Sequence, residues 1–306
     1  METGLDVEVL VSESGLMIKD IIYGRLALSR GLLRRMKQGG GVFLNGEPAY
    51  ITQRVAACDQ IRIQFADAAT SVEPQQIALD IVYEDDSLLV VNKPPDLAVY
   101  PTRSYPDGTL ANGLAYLWHT KGLERKIRLV HRLDRETSGV ILIAKEPYAY
   151  RSLGEQLRTT HLERTYLAIV QGILPDKSGV ITQPIARLDS GEGHALQRGV
   201  VADGKEATTY YRVIKEYNDL SLIQLRLATG RTHQIRVHLS WLGFPIIGDQ
   251  MYHAPSPLIS RQALHAWSLR FLHPRLGHEV LVRATLPADM LNILQRDRLA
   301  WLLVGR

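Results

Sequence analysis

Cysteine is nearly missing from this sequence: Cys58 stands alone among 306 residues. A disulfide within the chain is therefore impossible, and so is a cysteine-ligated metal cluster. Long apolar runs are missing as well. No stretch approaches the roughly 18 residues that a membrane span needs, so no membrane partner is expected. The opening "METGLDVEVLVSES" carries Glu2, Asp6 and Glu8 and has no basic start before an apolar stretch. It does not read as a signal peptide, and a cytoplasmic location is the expectation. Internal repeats and low-complexity tracts are absent too. Charge of either sign is in small excess only, with a formal net charge of +4. Such a balance permits a polyanionic partner without requiring one.

What is present is ordinary globular material. Hydrophobic residues make up 45% of the chain, enough for a full core. At this length two domains are expected. Strand-like segments outnumber helical ones and do not alternate with them regularly. "DQIRIQF", "ERTYLAIVQGIL", "KEATTYYRVIKEY" and "LSLIQLRLATG" read as strands, while "GTLANGLAYLWHT" and "RTHQIRVHLSWLG" have helical spacing. This pattern favours an α+β fold whose larger domain is built on a mostly antiparallel mixed sheet with flanking helices. The small, polar, non-periodic stretch "ADAATSVEPQQ", residues 66–76, is the linker candidate. It separates an N-terminal unit with its linker, residues 1–72, from a larger unit, residues 73–306.

In the N-terminal unit a helix is expected from Ser29 to the glycines at 39–41. Arg30, Arg34 and Lys37 recur at i, i+4 and i+7 and share a face of it. "GVFLNGE" follows as strand, turn and strand. A basic helix face is more often ordinary solvation than a contact with nucleic acid.

Three stretches could carry chemistry. "HRLDRETSGV", residues 131–140, packs charged residues against the apolar run "VILIA". Asp134 within it is either a surface carboxylate paired with a neighbouring arginine or a functional carboxylate presented at a strand end. "LATGRTHQIRVHLSWLGFPIIGD" reads as a strand end, then a helix from about Thr232 with Ile235, Leu239 and Leu242 as its apolar stripe. Arg231 at that junction gains nothing from a helix N-terminus and needs an anionic partner, for which Asp134 is a candidate. Tyr166 in "ERTYLAIVQG" is a core tyrosine or an active-site one. His233 and His238 are five apart, which does not place them on one helix face, and no acidic cluster joins them; no metal site is expected.

Together these stretches resemble the RluA-type family of RNA pseudouridine synthases. The likeness rests on "VVNKPPDLAVYP", "HRLDRETSGVILIAK", "ERTYLAIVQG", "LATGRTHQIRVHLSWLGFPIIGDQMY" and "QALHAWSLRFLHP", in that order along the chain. Residues 13–65 resemble the small S-four-like RNA-binding domain. The resemblance implies cofactor-free isomerisation of a uridine within RNA, with ribosomal large-subunit RNA the first expected substrate and transfer RNA the second. No obligate protein partner is evident. Asp134 matches the family's catalytic aspartate, and Tyr166 the tyrosine that stacks on the target base. Arg231 matches the basic residue paired with the aspartate, and Arg132 the residue that fills the space left by the displaced base. His131 and Arg135 flank them as expected substrate contacts, and Arg30, Arg34 and Lys37 as contacts to RNA backbone. Three positions depart from the family pattern: Asp96 replaces a glycine, Tyr100 a histidine and Arg164 a lysine. Two other readings compete. A nucleoside or glycan hydrolase would need a second carboxylate, for which Glu136 is the nearby candidate. A non-catalytic ribosome-assembly factor would have no need of Asp134, Tyr166 and Arg231 together.

Overall fold

The computed structural model describes residues 4–26, 28, 41–64, 69–123, 125–188 and 197–296. The expected helix bearing Arg30, Arg34 and Lys37 lies outside the described residues. Strands β1 (Gly4–Glu8), β2 (Val42–Leu44), β3 (Glu47–Pro48) and β4 (Gln60–Gln64) form an antiparallel sheet in the order β1-β4-β2-β3. The expected turn in "GVFLNGE" is there: Asn45 and Gly46 both have positive φ, 52° and 89°. That conformation matches the twist of a two-residue hairpin, and asparagine and glycine adopt it at least cost. Alternation along β4 buries Ile61 and Ile63 against Ile18, Ile21 and Ile22 of helix α1 (Ile18–Tyr23). These residues form a core separate from that of the rest of the chain.

The second half of the linker candidate is fastened down. Val72 packs on Ala111 and Ala115 of helix α2 (Leu110–Thr120). The buried Asn112 side chain donates to the Glu73 carbonyl at 2.8 Å and accepts from the Thr109 amide at 3.0 Å, and the Asn112 backbone carbonyl accepts from the Gln75 amide at 3.1 Å. A buried amide side chain needs such partners, and the polar composition of the segment conceals this.

The large sheet is also mainly antiparallel. Its strands are β5 (Ile81–Glu84), β6 (Leu88–Lys93), β7 (Arg128–Leu129), β8 (Ser138–Ala144), β9 (Glu163–Gln171), β10 (Ser178–Ile181), β13 (Thr209–Tyr217), β14 (Leu220–Leu227), β15 (Leu264–Leu272) and β16 (Glu279–Arg283). They run in the order β10-β13-β14-β9-β15-β8-β6-β5, with β16 on β15 and β7 on β8. A small ribbon pairs β11 (Ile185–Arg187) with β12 (Arg198–Val200). Helices α3 (Pro147–Arg158), α4 (Gln234–Trp241) and α5 (Ala288–Arg296) complete the architecture. The α+β expectation holds.

The pairing of β8 with β15 is parallel, and it sets the centre of the sheet. All of β8 is buried, so it reads as a continuous apolar run and not an alternating one. Each fully buried aliphatic side chain here contributes roughly 1.5–3 kcal/mol. Gly139 at its start has φ of 111°, and a Cβ there would lie 2.1 Å from the Ala266 carbonyl oxygen. Only glycine lets β15 approach this closely.

Candidate active site

A cleft of about 620 Å³ opens where the 131–137 loop, β9 and the turn after β14 meet the start of α4. Asp134, Arg132, Tyr166, Arg164, Arg231 and Arg236 all line it. Asp134 sits at the end of the loop that feeds β8, with its side chain 28% exposed. Its partner is Arg236, whose Nη1 donates to Asp134 Oδ2 at 3.2 Å. The same guanidinium forks onto the fully buried Asp249, with Nε and Nη2 each at 2.7 Å from a carboxylate oxygen. Burial opposes the charge on Arg236, but the hydrogen bonds and charge of Asp249, with Asp134 behind them, prevail and raise its pKa. One permanent cation thus joins a buried carboxylate to an accessible one. The Arg236 guanidinium also lies 5.0 Å above the Tyr252 ring.

The expected pairing of Arg231 with Asp134 is corrected. Arg231 is exposed on the cleft wall, and its Nε donates to the Glu206 carbonyl at 2.9 Å. Helix α4 begins at Gln234, after His233 in the left-handed region with φ of 57°. Arg231 therefore belongs to the preceding turn and Arg236 to the first helical turn. Residues 234–239 are all buried, so the helix has no solvated face there for Arg236 to occupy. Asp249 follows Gly248 in "IIGD", where Gly248 has φ of 73° and a Cβ would lie 2.2 Å from the Arg261 carbonyl oxygen.

His233 Nε2 approaches Asp134 Oδ2 to 3.9 Å while its Nδ1 meets the Tyr252 hydroxyl at 3.0 Å. Burial lowers the His233 pKa despite the pull of Asp134, which keeps the ring neutral near pH 7. The loop itself is held from below. Buried Lys93 donates to the carbonyls of Pro94 and Arg135 at 2.7 and 2.8 Å. Burial and the charge of Arg261 bring its pKa down to about 7. Arg261 in turn donates to the Glu136 carbonyl at 2.9 Å and is anchored by Asp289.

Tyr166 projects from β9 into the cleft and is 5% exposed. Burial raises its pKa, so the phenol stays protonated near neutrality. Arg164, two residues earlier and thus on the same face, is 7% exposed, and its Nη2 donates to the Thr229 carbonyl at 3.3 Å. Gly230 leaves the room it needs: a Cβ there would meet Arg164 Nη1 at 2.8 Å.

His131 and Arg135 are turned to other partners. The His131 ring is buried, and its Nε2 accepts the Leu142 amide of β8 at 3.2 Å. Burial and the Arg164 charge push its pKa down to about 3. Arg135 binds Asp96 and the Tyr105 hydroxyl and stacks 4.8 Å above the Tyr105 ring. Asp96 has φ of 57°, which explains why a glycine is usual at this position and why aspartate, tolerant of that conformation, can replace it. Arg132 is exposed at the cleft mouth, and Tyr100 is 42% exposed.

Residues 87–241 match the model of the RNA pseudouridylate synthase family. The chain is 37% identical over 297 residues to the uncharacterized RNA pseudouridine synthase YhcT of Bacillus subtilis, covering 95% of this chain and 97% of that one. It is 36% identical to the ribosomal large subunit pseudouridine synthase D of Xanthomonas campestris, over 88% and 85% of the two chains. Among solved structures, human RNA pseudouridylate synthase domain containing 1 superposes with a TM-score of 0.55 at 30% identity, covering 70% of this chain and 86% of that one.

Proposed function

Since the chain belongs to the RNA pseudouridylate synthase family and isomerises uridine in RNA, we propose that Asp134, Tyr166 and Arg236 carry that reaction in the cleft, on ribosomal large-subunit RNA. The observation that supports this most is the Asp134–Arg236–Asp249 chain. In the reaction the bond from ribose C1′ to uracil N1 breaks, the base turns, and C1′ bonds to C5. The C5 proton leaves as N1 gains one, so nothing is consumed. Positive charge builds on the sugar as the first bond breaks. A carboxylate already fixed by a hydrogen bond from the Arg236 guanidinium opposes that charge without reorganising. Arg236 orients Asp134, and Asp249 fixes Arg236. The target base must leave its stack to reach the carboxylate, and the Tyr166 ring offers it a new one. Arg132, exposed at the mouth, is placed to fill the gap in the RNA. The name of the Xanthomonas relative supports the ribosomal substrate, which would be met in the cytoplasm. The N-terminal unit of residues 1–72 supplies RNA affinity.

The test is Asp134→Asn, which keeps size and removes only charge. Carbodiimide adduct mapping of ribosomal RNA incubated with each protein should show pseudouridine with the wild type and none with the variant, while both bind RNA. Activity within tenfold of wild type would remove Asp134 from the chemistry. Tyr166→Phe should bind RNA normally and react more slowly.

A further inference from the structure

Behind the strand that carries Tyr166 the sheet has a second face. Side chains alternate along β9, so Arg164 and Tyr166 line the cleft while Glu163 and Thr165 line a depression of about 500 Å³ on the far side. Its floor is a row of paired residues crossing five strands. Tyr210 lies opposite Arg226, Arg226 opposite Thr165, Thr165 opposite Ser268, and Ser268 opposite Arg283. A register shift between Ala266 and Ser268 sets Trp267 among these residues, as a β-bulge re-aims a side chain.

Two features distinguish this face from the mixed-sign solvated face of an ordinary antiparallel sheet. The first is charge. Among the described residues that line it, four arginines (212, 226, 270 and 283) meet one carboxylate, Glu163. Arg226 approaches Glu163 to 3.5 Å and Arg270 binds Glu279 at 3.0 Å. Arg212 donates to Gln224, and among the described residues neither Arg212 nor Arg283 pairs with a carboxylate. The second is stacking surface. The Arg226 guanidinium lies 4.9 Å from the Tyr210 ring centre, and that of Arg283 5.5 Å from Trp267. Flat arginine–aromatic pairs beside cations suit unpaired nucleotides, whose bases stack without regard to sequence while their phosphates take the charge. An acidic protein segment would use the charge and leave the rings idle.

We propose that this far face is a second RNA-binding surface, taking a single-stranded segment of the substrate RNA outside the target loop. Arg212 and Arg283 take phosphates, and the Tyr210–Arg226 and Trp267–Arg283 pairs take bases. This rests on RNA being the substrate. Catalysis in the cleft is read separately from affinity at the back.

The probe is a short fluorescein-labelled oligouridine, titrated by anisotropy across a potassium chloride series. The full-length wild type is compared with Arg212→Gln/Arg283→Gln and with Trp267→Leu, after matching their thermal melting midpoints. The double variant should bind more weakly, and its plot of log affinity against log salt should be shallower by roughly 0.7 per lost phosphate contact. Trp267→Leu should weaken binding at least about fivefold with the slope kept, since it removes stacking and no charge. Ultraviolet cross-linking to the wild type should give adducts in β13 or β15. Both variants should convert a minimal stem–loop at the wild-type single-turnover rate. Unchanged affinity and slope in the double variant would overturn the proposal. So would unchanged oligouridine binding with lost binding of polyglutamate, which would make the face an acceptor of acidic protein. A wild type that binds oligouridine but leaves the stem–loop unmodified would instead count against the reading of the cleft.

Discussion

Arg236 holds two carboxylates at once, and the two predict different losses. Asp249 is only 1% exposed, so removing its partner strands a buried charge. Arg236→Gln should therefore destabilise the fold by roughly 3–5 kcal/mol in urea unfolding, the usual cost of breaking a buried pair from one side. Arg236→Met/Asp249→Leu should recover most of that stability and none of the single-turnover rate, because Asp134 still lacks its partner. Recovery of both would mean Arg236 serves only the fold. The buried histidines give a second expectation. Burial holds His131 down to about 3 and His265 down to about 4. Their folded pKa values lie below the unfolded value near 6.5, so below that pH the unfolded chain binds protons that the folded chain refuses. Stability contributed by the neutral rings is complete above pH 6.5 and falls as pH drops toward 4 and 3. Each ring should cost about 2 kcal/mol at pH 5 relative to pH 7. Urea midpoints at the two pH values, for wild type and His131→Gln, check this: the variant should show a smaller drop.

Strand β8 shows how an element delivers a residue. Its buried run docks between β6 and β15, and the loop before it then has one place to go. Gly139 makes that docking possible, so Gly139→Ala should force β8 and β15 apart. We expect a large loss of stability and of activity together, since the Asp134 loop moves with the strand. Gly154, on the exposed side of α3, is the matched control: a Cβ there meets nothing within 4 Å. Gly154→Ala should stabilise by about 0.5–1 kcal/mol through backbone entropy alone and leave the rate unchanged. Thermal melts and single-turnover rates on both variants separate space from conformational freedom.

At the scale of the molecule the N-terminal sheet has its own core. Tyr148 of α3 packs against that core, and Arg275 donates to the Gly4 carbonyl at 2.6 Å while paired with Glu146. Such a junction suits a unit that adds affinity and leaves the chemistry elsewhere. Replacing Arg30, Arg34 and Lys37 together by glutamine should weaken RNA binding. The salt plot should become shallower by roughly 0.7 to 0.9 per contact, with the saturated single-turnover rate nearly unchanged. A collapsed rate with normal binding would mean that the unit positions the target uridine.

The sequence by itself determined the class of fold, the strand segments named above and the Asn45-Gly46 turn, and it pointed to the "HRLD" stretch. These are local signals: period-two alternation, turn residues that tolerate positive φ, and charge crowded against an apolar run. Tertiary structure decided which arginine meets Asp134. Arg231 and Arg236 are both basic and five residues apart, and only the start of α4 and its burial on all sides separate them. Tertiary structure also withdrew His131 into an internal bond, paired Arg135 with Asp96, tied residues 72–75 to α2, and gathered arginines from β13, β14, β15 and β16 onto one face. Each of these depends on contacts that form only once the chain has folded, and the local patterns of charge and hydrophobicity do not specify them.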